Sequence, residues 1–156
     1  MSKKEIRKWR WGGRVLLAVY LACLIYFMFF SESYGRTTIQ QEYHYNLVPL
    51  REIWRFIKYR HVLGFGAVLV NVVGNVAVFI PFGCGVPALF PKLRSFGQMA
   101  ILSFSASLLA ETLQLIFKVG CFDVDDLLLN TIGGCIGYLV YVLLVRRWRK
   151  HGKKNL

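Results

Sequence analysis

Acidic residues are scarce in this chain: eight Asp and Glu face twenty Lys and Arg in 156 residues, leaving a net charge of +12. Cysteine is scarce as well. Cys23, Cys84, Cys121 and Cys135 include no close pair, which argues against a zinc site, a redox pair or a disulfide framework. No histidine adjoins the acids, and no serine or cysteine nucleophile motif is present. Charged residues of both signs make up only 18%, against 56% hydrophobic and 15% aromatic. So short a chain has more apolar material than one small soluble core can bury, and a lipid bilayer is the expected solvent.

Four stretches, about 15–31, 62–82, 97–117 and 127–145, approach the roughly 20 residues that cross a ~30 Å hydrocarbon layer as a helix. The expected fold class is all-α: an integral membrane four-helix bundle. A basic N-terminus (1–14) precedes the membrane domain (15–145), and a basic tail (146–156) follows it. The first stretch is short, but Arg14 can snorkel and Ser31 can extend it. A basic head before an apolar run also describes a signal peptide. Here "FFSESYG" puts bulky aromatics where cleavage needs small residues, so a retained anchor is expected.

Fourteen of the twenty basic residues fall in 1–14, in 83–96 and after 145. The positive-inside rule then predicts a multi-pass protein of the cell membrane with both termini cytoplasmic. Segments 31–61 and 118–126 lie outside on this reading and hold six of the eight acids. Arg51, Arg55, Lys58 and Arg60 run against the rule, just ahead of the second span. The stretch "PLREIWRFIKYR" accounts for part of this. Leu50, Ile53, Trp54 and Ile57 make one apolar face opposite Arg51, Arg55 and Lys58, and Pro49 suits a first turn. A short helix in the outer interface is predicted, its cations on lipid phosphate or on an anionic ligand. The tail "RRWRKHGKKN" beside a membrane span is read as a topology signal, and no nucleic-acid partner is expected.

Polar residues inside membrane spans are costly and point to packing or function. On the third span Ser103, Ser107, Glu111, Gln114 and Lys118 form one stripe, with Glu111 about 9 Å inside the outer end. Asn71 and Asn75 share a face of the second span. Asp126, Asn130, Gly133 or Gly134, and Gly137 share a face of the fourth, where Gly133 and Gly137 make a Gly-x-x-x-Gly pair. These faces satisfy one another by turning inward, which predicts a polar seam open toward the outer leaflet. At its rim "FDVDDLLLN" gathers Asp123, Asp125 and Asp126. One of Asp125 and Asp126 suffices to cap the fourth helix, and three carboxylates exceed that need. Glu111 is either a neutral hydrogen-bonding strut to Asn71, Asn130 or Gln114, or a proton, cation or headgroup site.

The segments "YNLVPLREI", "NVVGNVAVFIPFG", "SLLAETLQL" and "KVGCFDVDDLLLNTIGGCIGY", in this order over residues 45–138, together resemble the VanZ-like membrane proteins. The family's Asn-Leu-x-Pro turn matches Asn46, Leu47 and Pro49, and its Asn, Phe, Pro and Gly pattern matches Asn75, Phe79, Pro81 and Gly83. Its Glu and Gln match Glu111 and Gln114; its Asp-x-Asp-Asp with following Asn and Gly matches Asp123, Asp125, Asp126, Asn130 and Gly133. Cys121 departs from the pattern, standing where a small polar residue is expected. Some relatives carry an arginine nearby, a role that would pass to Lys118 here. The resemblance implies a bacterial envelope protein related to those giving low-level resistance to teicoplanin, a lipid-tailed glycopeptide, and it brings no cofactor.

Three functions stay open. In the first, a non-enzymatic protein binds a lipid-linked cell-wall precursor, a phospholipid headgroup or the antibiotic through Asn46, Arg51, Asn71, Asn75, Glu111, Gln114, Lys118, Asp123, Asp125, Asp126 and Asn130. In the second, a membrane hydrolase or transferase uses Asp123, Asp125, Asp126 and Glu111 or His44 as acid and base, or the three aspartates as a divalent-cation site. In the third, a small transporter component uses Glu111 and the asparagines as a pathway; four spans are few for a pore, so this needs an oligomer. Glu32, Glu42, Tyr43 and His44 lie in an outer segment long enough to form a lid.

Overall fold

A computed structural model of the chain describes residues 3–30 and 43–152, and these are helical almost throughout. The order is α1 (Lys3–Phe30), β1 (Tyr45–Asn46), α2 (Arg51–Lys58), α3 (Arg60–Leu63), α4 (Phe65–Val68), a π-helical turn (Leu69–Val73), α5 (Gly74–Leu89), α6 (Phe96–Phe117), β2 (Phe122–Asp123) and α7 (Val124–Gly152). Among the described residues four stretches are long and apolar enough to cross a membrane: Arg7–Phe29, Leu69–Leu89, Phe96–Phe117 and Val124–Trp148. Ser31, Glu32, Glu42, Lys153 and Lys154 lie outside the described residues.

Contacts between helix ends give the direction of each crossing. The Arg14 guanidinium sits 5.8 Å from the Phe90 ring centre, so early α1 meets the end of α5. Phe29 packs edge-on against Phe117 at 6.4 Å, so the end of α1 meets the end of α6. The described chain ends and the 90–95 loop therefore share one end of the bundle, and segments 43–50 and 118–123 share the other. At the first end Ser95 and Gln98 form a capping box on α6. Tyr138 Oη donates to the Arg94 carbonyl (2.7 Å), while Arg94 Nε donates to that of Pro87 (2.9 Å).

Helices α5 and α7 form the centre by backbone approach. A Cβ on Gly133 would stand 2.1 Å from the Val76 carbonyl oxygen, and one on Gly137 would stand 2.1 Å from that of Ile80. The Gly-x-x-x-Gly pair thus faces successive turns of α5 inside one chain. Around this contact Leu24, Phe79, Phe82, Val86 and Met99 form the buried apolar core. Helix α1 is attached more lightly, through Leu24, the Tyr20 hydroxyl on the Val78 carbonyl, and Gln114 Nε2 on the Met28 carbonyl (2.7 Å).

The second apolar stretch, Leu69–Leu89, continues α4 from Phe65 without a gap. Gly64, at φ +83°, ends the short α3, and the π-helical turn carrying Asn71 leads into α5. Ahead of this lies α2, which buries no residue completely and leaves Trp54 and Ile57 exposed beside Arg51 and Arg55. Such a face suits the membrane interface.

Candidate functional site

Two short segments pair to build the site. Tyr45–Asn46 runs parallel to Phe122–Asp123, and the Phe122 N–H donates to the His44 carbonyl at 3.1 Å. This lashes the chain before α2 to the chain before α7 and sets each aspartate a different task.

Asp123, just ahead of α7, is its cap: Oδ1 accepts the Asp125 N–H (2.8 Å) and also Asn46 Nδ2 (3.0 Å). Sequence spacing assigned the cap to Asp125 or Asp126; the helix begins at Val124, two or three residues earlier than those caps imply, and uses Asp123. Asp125 reaches across to α2, where its carboxylate accepts the N–H groups of Leu50, Glu52 (2.8 Å) and Ile53 (3.1 Å). Leu50 holds a left-handed backbone there, at φ 65°. Asp126 turns the other way and accepts Asn75 Nδ2 from α5. The three carboxylates are thus bound to different partners, although all three border one cavity. Among the described residues no group of three or more His, Cys, Asp or Glu could hold a metal ion.

The polar stripe of α6 is interior: Ser103, Ser107, Glu111 and Gln114 are all buried. Glu111 Oε2 accepts the Asp123 N–H at 3.1 Å, and Ser107 Oγ accepts Asn130 Nδ2 at 2.9 Å. Gln114 ties α1, as above. Lys118 ends α6 in a left-handed conformation, with its ammonium 4.6 Å from the Tyr43 ring centre. Of the expected lid residues, Tyr43 and His44 are exposed.

Two cavities flank this lattice. The first, ≈ 270 Å³, lies at the rim, with Glu52, Arg55, Asn71, Cys121, Asp123 and Asp125 in its wall. The second, ≈ 430 Å³, lies under α1, with Asn75, Glu111 and Asn130 opposite Leu24, Phe27 and Met28. Asp126 borders both. Asn71 and Asn75, expected on one face, line different cavities because the π-helical turn between them spaces residues more widely than an α-turn. Arg51, Asn46, Gln114 and Lys118 border neither cavity.

Electrostatics at the rim follow from crowded acid. Burial pushes the Asp123 carboxyl above its ordinary range, against the opposing effect of its two amide donors and Arg55. Cys121 is exposed as a residue, but its thiol turns back on the Phe122 carbonyl (3.7 Å). Burial first, then the charges of Asp123, Glu111, Glu52 and Asp126, push it up to about 11.

Sequence reasoning missed the Glu52–Arg55 ion pair in the rim wall and the contribution of α1 to the second cavity. The i,i+3 spacing of Glu52 and Arg55 was a usable signal for the first. The apolar face of α1 carries none for the second.

The VanZ/LLP1 family model matches residues 17–145. The chain is similar to Protein VanZ of Enterococcus faecium, with 31% identity over 134 residues, covering 84% of this chain and 74% of that protein. No solved structure matches it. With its four apolar helices, the chain belongs to the VanZ/LLP1 family and is a VanZ-like multi-pass membrane protein of the kind linked to teicoplanin resistance.

Proposed function

We propose that this chain protects the bacterial envelope against teicoplanin without catalysing a reaction, through a polar site that faces outward. Membership of the VanZ/LLP1 family supports the phenotype. The observation that carries the site is Asp126, placed between two cavities and accepting from Asn75. Both termini are cytoplasmic in this reading, because the basic ends and the 90–95 loop share one end of the bundle and the acid-rich segments share the other. The site then opens at the outer leaflet, where a phospholipid headgroup, a lipid-linked cell-wall precursor or the antibiotic itself is within reach. Occupancy there lowers the drug's access to its target.

The test is expression of the chain in a sensitive bacterium, with the inhibitory concentration of teicoplanin and the membrane level of the protein measured together. The wild type is expected to raise the inhibitory concentration, and Asp126→Asn to lose that protection at unchanged membrane level. No protection by the wild type, or equal protection by the variant, would refute the proposal.

A further inference from the structure

The cavity under α1 has a chemistry more specific than its polarity. Its floor carries the carboxylates Glu111 and Asp126, together with Asn130. Asn130 is 2% exposed, and with Nδ2 committed to Ser107 its Oδ1 has no hydrogen-bond partner. A buried acceptor left unpaired is costly, and in a cavity large enough for a small molecule it marks where a donor is missing. Carboxylates beside it repel anions and favour a cation that brings several N–H donors. A primary ammonium brings three. The remaining wall is hydrocarbon, from Leu24, Met28 and Val78, and it reaches Phe27, which is exposed on the lipid-facing side of α1.

Resting on the outward-facing site proposed above, we infer that this cavity binds the protonated primary amine of an amphiphile, whose hydrocarbon tail leaves between α1 and α5 into the bilayer. The amine sits against Asp126, Glu111 and Asn130; the tail lies along Phe27, Met28 and Val78. Light attachment of α1 gives such a molecule a sideways entrance, since only a few contacts close that flank. A membrane aminolipid and a soluble amphiphilic amine both present this group.

Gly74 supplies a probe. It borders the cavity, and a Cβ built on it meets nothing within 4 Å, so a side chain can start there without a clash at its first atom. The experiment is native mass spectrometry of the full chain released from detergent micelles, titrated with dodecylamine and, separately, with dodecanol. Dodecylamine is expected to bind saturably, at least tenfold more tightly than dodecanol. Asp126→Asn should weaken it about tenfold, and Gly74→Leu should abolish it, with helical content and melting temperature unchanged in both variants. Displacement of the amine by phosphatidylethanolamine but not by phosphatidylglycerol assigns the site to a membrane aminolipid; retention against both assigns it to a soluble amine. Equal affinity for amine and alcohol, or amine binding unaltered in both variants, overturns the inference. Amine binding that persists in a protein giving no teicoplanin protection would sink the proposed phenotype and leave this site standing.

Discussion

Asp125 caps a helix to which it does not belong: from the first turn of α7 its Oδ2 accepts the Glu52 N–H at 2.8 Å, at the start of α2. The same carboxylate takes the N–H groups of Leu50 and Ile53, so the two helices share one electrostatic joint. A carboxylate answering the positive end of a helix is stabilising, and more so when buried, as Asp125 is at 1% exposure.

Asp125→Ala should therefore unfasten α2, and with it the wall of the rim cavity that Asp125, Glu52 and Ile53 line. Three backbone donors lose their acceptor at once, a loss of ~2 kcal/mol or more. Asp125→Asn keeps one acceptor oxygen and should fall between the two. Melting temperature in detergent and protease cleavage near α2 measure this; wild-type resistance in the alanine variant would show that the joint contributes nothing.

Glu111→Gln leaves an oxygen able to accept the Asp123 N–H. The variant is expected to reach the membrane at the wild-type level and to lose most of the teicoplanin protection, because charge at the cavity floor is removed while the fold is kept. Equal protection would mean that Glu111 acts only as a neutral strut.

Glycine substitutions should divide by backbone approach. Gly133→Ala places a methyl group 2.1 Å from the Val76 oxygen and is expected to cost ~2 kcal/mol or more. Gly97→Ala meets nothing within 4 Å on α6, and should be neutral or gain up to ~1 kcal/mol. Thermal unfolding of both variants in one detergent makes the comparison.

Asp123 gives a pH dependence of defined sign. Its folded pKa lies above the unfolded value of 3.8, so the folded state holds the proton longer. Its contribution is then most favourable below the unfolded pKa and declines as pH rises through the folded one. Asp123→Asn should flatten this decline in melting temperature from about pH 4 upward; a parallel profile would assign the dependence to other groups.

With Cys121 as the sole cysteine, alkylation by a membrane-impermeant thiol reagent should come from outside the cell. Its rate should keep rising beyond pH 9 toward about 11, because the thiolate is the reactive form. Labelling from the cytoplasmic side alone would invert the proposed topology.

The polar stripe of α6 was legible from spacing because helical periodicity puts Ser103, Ser107 and Glu111 on one side, and lipid leaves them nowhere to turn but inward. The Gly-x-x-x-Gly pair was legible for the same reason. The second span was expected from about 62; α4, the π-helical turn and α5 run on from Phe65, and hydropathy registers neither the break at Gly64 nor the π-helical turn after it. That turn also separated Asn71 from Asn75, which a uniform α-helix would have kept together.

Composition and periodicity alone thus determined a four-helix membrane protein with an acid-rich rim and a polar interior, since both follow from the cost of exposing polar groups to hydrocarbon. Only the tertiary structure decided which aspartate does what. "FDVDDLLLN" puts three like charges within four residues, and nothing in that string says that Asp123 caps α7, Asp125 caps α2 and Asp126 takes Asn75 between two cavities. Asp123 caps α7 through the nearby Asp125 N–H, but the partners that set the three apart lie far along the chain: Asn46, the start of α2 and Asn75. A hydrogen bond is set by where its donor stands in space, and local sequence holds no record of that.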